Sequence, residues 1–254
     1  QEEHEFCDVD EGQCRFSYQE EGVIKPNIFF VIDHSLSLNQ NELDQVAEFA
    51  SGVNGSEGFA SLYHDKVQIG AIRFPNIPGM RCGSDENNYD PVGEYNENQI
   101  SSMFTLTQNY QNHTPTPSVM QDVRLSGLYE DEGDSLNDLR GKKVILITDG
   151  DPTCDIPEDD CTNDPVCVSV RNSEGYDVAT TKEQRVRHTV AQIEALSALG
   201  VETYIVGFSS GAQGEYLQRF ANAGGTDTVY VANDAQSLLN SVEEIIGCTD
   251  YSLR

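Results

Sequence analysis

The run Ile28-Phe29-Phe30-Val31-Ile32 constrains the fold more than any other stretch. Bulky apolar residues with no polar interruption read as a strand covered on both faces, since a half-exposed strand would alternate apolar with polar positions. Further strands are expected at Val67–Phe74, Lys143–Thr148, Val201–Val206 and Thr228–Val231. Helical patterns lie between them, at Glu42–Val53, Ser118–Tyr129, Thr181–Leu199, Glu215–Ala223 and Ala235–Ile246. In the third, Val186, Val190, Ile193 and Leu196 recur three or four apart, and Gly200 follows as a C-terminal breaker. Alternating strand and helix predict an α/β fold: a doubly wound, mostly parallel central sheet with helices on both faces.

Residues 1–26 read as an acidic, cysteine-containing extension, 27–248 as the domain and 249–254 as a tail. Two connections, 75–113 and 151–180, exceed the usual strand-to-helix loops of about 2–6 residues. An antiparallel edge strand is expected around Met103–Thr107, inside the first. Long loops on a rigid scaffold are where recognition concentrates, and both meet the sheet end at which the first strand finishes.

That strand runs into Asp33, Ser35 and Ser37, three oxygen-bearing side chains at alternate positions. Ligands of open α/β sheets bind beyond the carboxyl ends of the strands. The serines have a plainer reading as caps of the helix beginning near Asn41. The run Val144–Thr148 repeats the arrangement and ends at Asp149, with Gly150 permitting a sharp turn. Between the two lies Asn112-His113-Thr114-Pro115-Thr116; Pro115 suits the first turn of the following helix, which leaves Thr114 projecting from the loop before it. Carboxylates and hydroxyls together form a hard oxygen donor set, suited to Mg²⁺, Ca²⁺ or Mn²⁺.

The segments DHSLS, HTPTP and ITDGDP, in this order, resemble the von Willebrand factor A (integrin inserted) domain over roughly residues 27–247. The resemblance implies a metal ion-dependent adhesion site with Asp33, Ser35, Ser37, Thr114 and Asp149 as its metal set. His113, beside Thr114, and Asp151 are candidates for the ligand-binding rim, with a solvent-exposed bystander and an ordinary loop residue as the plainer readings. It also implies that hydroxyls bind the ion directly while the aspartates act through water, which leaves a coordination position for a partner's carboxylate. The TDGDP-then-Cys variant is similar to secreted bacterial members. The long cysteine-bearing loops, and His113 where many members have Gly, depart from the pattern.

The formal net charge is -28, from 15 Lys and Arg against 43 Asp and Glu, which disfavours nucleic acid and anionic membrane as partners. No stretch is long and apolar enough to span a bilayer. Seven cysteines without a CxxC pair imply disulfides and an oxidising, secreted or cell-surface setting, with the chain part of a longer protein. Cys7 or Cys14 is expected to pair with Cys248, since domain termini often meet. Asp8, Asp10 and Glu11 hint at a calcium loop without the EF-hand pattern, and Asp85, Glu86, Asp90, Glu94 and Glu97 read as a solvated acidic loop rather than a second cation site. His34 reads as structural.

The main reading is therefore a non-enzymatic adhesion module. The alternatives are a structural module of a pilus tip or envelope assembly, and a serine hydrolase using Ser209 of Gly207-Phe208-Ser209-Ser210-Gly211. The hydrolase order requires a histidine after the serine, and the last histidine is His188.

Overall fold

The computed structural model describes residues 24–53, 55–76, 82, 85–106, 113–173, 181–208 and 214–247. Its strands are β1 (Asn27–Asp33), β2 (Gln68–Phe74), β3 (Tyr89–Gly93), β4 (Lys142–Thr148), β5 (Glu202–Phe208) and β6 (Val229–Ala232). They form one sheet in the order β3-β2-β1-β4-β5-β6, parallel except for β3. The chain leaves β1 towards β2 on one side and reaches β4 on the other. The carboxyl ends of β1 and β4 therefore flank the crevice at which such sheets bind ligands.

Every residue of β1 is buried, as the apolar run predicts. Ile28, Phe30 and Ile32 enter one core with α1 (Gln40–Ser51), α2 (Phe59–Tyr63), α3 (Glu97–Met103) and α9 (Ala235–Gly247). Phe29 and Val31 enter the opposite core with α4 (Thr116–Leu125), α7 (Lys182–Ala198) and α8 (Glu215–Ala223). In the first core Phe30 meets Phe104 edge-on, with ring centroids 4.9 Å apart, and Phe59 at 5.4 Å. β1 is thus clamped from both sides, and its last residue, Asp33, has little freedom to move.

The antiparallel edge strand is β3; of the expected Met103–Thr107, the described residues 103–106 form no strand and Thr107 lies outside the described residues. Met103 closes α3, which starts with a capping box between Asn96 and Gln99. Pro91 is tolerated there because an edge strand pairs on one side only and Pro91 lies within the shift of register against β2. The register of β2 against β3 shifts between Ile69 and Ala71, and Gly70 sits at that shift. A Cβ there would lie 2.8 Å from the Phe29 ring and 2.9 Å from the Val92 backbone, so only glycine fits. Helix α4 begins at Thr116 rather than Ser118, with Pro115 at the N-cap and Pro117 inside the first turn. It ends at Leu125, and Gly127 follows at φ 58°.

The second long connection carries α5 (Glu158–Cys161) and α6 (Pro165–Arg171). Its own apolar cluster is Ile156, Cys161 and Cys167, with Cys161 bonded to Cys167. A second disulfide, Cys82–Cys154, ties it to the first long connection. Polar contacts fasten the insert to the helices. Buried Asp164 caps α6 and accepts from Arg124 at 2.6 Å, Gln121 at 2.8 Å and Gln192 at 2.9 Å. Burial raises the Asp164 carboxyl, but these hydrogen bonds and the Arg124 charge outweigh it and hold the group below the usual carboxylate range. Cys7, Cys14, Cys248 and the acidic group Asp8, Asp10 and Glu11 lie outside the described residues, as does Ser209. No helix among the described residues is long and apolar enough to cross a membrane.

Candidate metal centre

Asp33, the last residue of β1, is fully buried. Its Oδ1 accepts the Ser35 N–H at 2.9 Å, which folds the chain back over the strand end. Its Oδ2 accepts the Thr148 hydroxyl at 2.8 Å. The parallel register dictates this second contact: Ile32 lies beside Ile147, so Asp33 falls beside Thr148.

The turn brings Ser35 Oγ and Ser37 Oγ to 2.8 Å of each other. Ser37 Oγ donates to Asp149 Oδ1 at 2.9 Å, and Thr114 Oγ1 donates to Ser35 Oγ at 3.4 Å. Thr114, Ser35, Ser37 and Asp149 therefore form one chain of contacts above Asp33, joining residues far apart in sequence. Neither serine caps α1, whose capping box is Asn39 with Glu42. Their hydroxyls face the cluster, and Leu36 between them is exposed.

The charge balance of this cluster is one-sided. Burial, reinforced by the negative charge of Asp149, pushes the Asp33 carboxyl up to about 7. Asp149 is also raised, by burial first and by Glu42 last. No lysine, arginine or histidine of the described residues offsets either charge. Two crowded carboxylates with neutral hydroxyls around them are a donor set whose repulsion a hard cation would relieve. The set contains only two acidic groups; among the described residues no three His, Cys, Asp or Glu side chains gather as a metal cluster. The acidic residues of the first long connection face separate partners: Asp90 pairs with Arg73 at 2.8 Å, Glu94 with Lys25 at 2.7 Å, and Glu86 accepts from Ser126 at 2.6 Å.

The expected rim residues lie beside the cluster. His113 is half-buried and adjacent to Thr114. Asp151 forms an ion pair with Lys182, and its bond to the Tyr216 hydroxyl adds to burial in raising that phenol. His34 contacts the Pro75 carbonyl through Nε2 at 3.0 Å, away from the hydroxyls. Sequence reasoning missed two contributors. Thr148 was legible in principle from the parallel register of β1 and β4. Thr153, whose Oγ1 accepts the Thr114 N–H at 2.6 Å, carries no sequence signal.

Solved structures share this architecture. Proximal thread matrix protein 1 from the mussel byssus, in a form with a zinc-occupied MIDAS motif, is similar with a TM-score of 0.54 and 17% identity, over 88% of this chain and 47% of that one. The pilus adhesin SpaC from Lactobacillus rhamnosus GG gives 0.55 and 18%, over 88% of this chain and 31% of that one. Manganese-loaded Plasmodium vivax TRAP protein gives 0.50 and 12%, over 87% and 73%. At such identities the likeness is one of fold. The chain spans about half the length of the mussel protein and about a third of the adhesin. No curated protein sequence matches it. Residues 27–244, which contain the whole sheet and the cluster at its crevice, match the model of the von Willebrand factor type A domain, and the chain belongs to that family.

Proposed function

We propose that this module is a secreted or cell-surface adhesion domain. In this reading Asp33, Ser35, Ser37, Thr114 and Asp149 hold a divalent cation, Mg²⁺ or else Ca²⁺ or Mn²⁺, and a partner's carboxylate docks on it. The observation that carries the reading is the convergence of these five side chains around a buried, uncompensated Asp33 carboxylate. The bound cation would supply an electrophilic position for the incoming carboxylate oxygen. Asp33 and Asp149 attract the positive charge, and the neutral hydroxyls of Ser35, Ser37 and Thr114 offer oxygen donors without cancelling it. In this reading the ends of β1 and β4 carry Asp33, Ser35, Ser37 and Asp149, Thr114 joins them from the loop before α4, and the long connections supply the rim.

Von Willebrand factor type A domains are non-catalytic modules, and this chain is one of them. Two disulfides support an oxidising compartment. An overall charge of -28 disfavours acidic partners at long range, but salt screens that field over roughly 8–10 Å, so contact at the cation dominates locally.

The test is Asp149→Ala. The substitution removes one carboxylate at the end of β4 and leaves both cores untouched. Circular dichroism is expected to be unchanged while calorimetric titration with Mg²⁺ loses its binding isotherm. A variant that takes up Mg²⁺ as the parent does would refute the assignment.

A further inference from the structure

We infer that Thr153 is the positioning residue of this centre: it fixes the backbone of Thr114 from a segment anchored at every residue. The inference rests on the cation reading above and adds to it the group that holds one donor in place.

Thr153 brackets Thr114 at two points. Its Oγ1 accepts the Thr114 N–H at 2.6 Å, and its own N–H donates to the Thr114 carbonyl at 3.1 Å. Thr114 is 4% exposed, so its N–H has little water to turn to if the bracket opens. Thr114 lies two residues before α4, which starts at Thr116, so the helical ladder does not fix it. The orientation of the Thr114 hydroxyl therefore depends on what grips its backbone.

The grip is firm because of what holds Thr153. Asp151 pairs with Lys182, the Pro152 carbonyl accepts from Arg185 Nε at 2.6 Å, and Asp155 pairs with His188. These α7 residues are spaced by three and share one stripe of the helix. Cys154, between Thr153 and Asp155, is bonded to Cys82 of the first long connection. The segment 151–155 is thus a rail along α7 that is covalently tied to Cys82 of the first long connection, and Thr153 is the residue on it that bonds Thr114.

The experiment compares Thr153→Val with Thr153→Ser in the intact chain. Valine keeps the shape and the backbone N–H but removes the acceptor; serine keeps the acceptor. Mn²⁺ affinity by calorimetric titration is expected to fall about tenfold in the valine variant and to return to within about twofold of the parent in the serine variant. In cation-free protein the Thr114 amide is expected to exchange about tenfold faster with valine and at the parent rate with serine. Parental Mn²⁺ affinity in the valine variant overturns the positioning role, whether or not the amide exchanges faster. Equal losses in both variants also overturn it, since the acceptor would then be irrelevant. If the parent itself takes up no Mn²⁺, the cation reading fails and the positioning role with it, while the amide comparison still decides the bracket.

Discussion

Asp33→Asn tests the electrostatic core of the argument without any ligand. Burial pushes the folded Asp33 carboxyl up to about 7 from the ordinary 3.8, so the native state binds this proton more tightly than the unfolded chain does. A raised carboxyl destabilises the fold, by nothing below the unfolded value and fully above the folded one. At 1.36 kcal/mol per unit the full effect is about 4 kcal/mol, of which roughly 2–3 kcal/mol develops between pH 5 and pH 8. Asparagine removes the charge and keeps the geometry. Its Oδ1 still accepts the Ser35 N–H, and the Thr148 hydroxyl has the Gly150 carbonyl at 3.5 Å as an alternative acceptor. Urea unfolding in EDTA at the two pH values, for parent and variant, reads this group together with its repulsion of Asp149, since the remaining titrating residues are common to both. The parent is expected to lose about 2–3 kcal/mol more than the variant on going to the higher pH, and saturating Mg²⁺ is expected to abolish the difference. Identical pH profiles in EDTA would refute the claim that Asp33 is buried without compensation.

Arg124→Ala should cost about 2–3 kcal/mol in urea unfolding at neutral pH, because it leaves the fully buried Asp164 carboxylate with only the neutral donors Gln121, Gln192 and the Val166 N–H. The stabilisation tied to Asp164 is present above the unfolded carboxylate value and is lost as pH falls through the depressed folded value, so the cost should shrink in acid; a constant cost would refute it. Reduction of Cys82–Cys154 and Cys161–Cys167 should speed amide exchange in residues 153–171 while β1 and β4 keep their protection, because the insert's apolar cluster is Ile156 with two of the bonded cysteines. Uniform loss of protection would contradict this.

The central strands β1 and β4 were readable because burial on both faces leaves an unbroken apolar signature, as in Phe29-Phe30-Val31. The edge strand was not, since Tyr89-Asp90-Pro91-Val92-Gly93 contains the charge and proline that read as loop, and its strand character comes from pairing with β2. The short helices α2, α3, α5 and α6 escaped because a turn or two shows no periodicity, although Asn96 and Gln99 carried a capping signal. Of the candidate centre, Asp33, Ser35, Ser37 and Asp149 follow directly on the apolar strands β1 and β4, while Thr114 stands in a loop before α4 and was legible only through Pro115. Thr153 was not legible, because its role depends on how a long connection folds back, and nothing local in Asp151-Pro152-Thr153 encodes that return.

The insert coheres through its own small cluster and disulfide, and it meets α4 and α7 through buried polar pairs rather than through the central cores. Its outward residues can therefore be exchanged without repacking the sheet. A designer wishing to retarget the domain has a graftable face beside the candidate centre, provided Thr153, Asp155 and Asp164 travel with the graft.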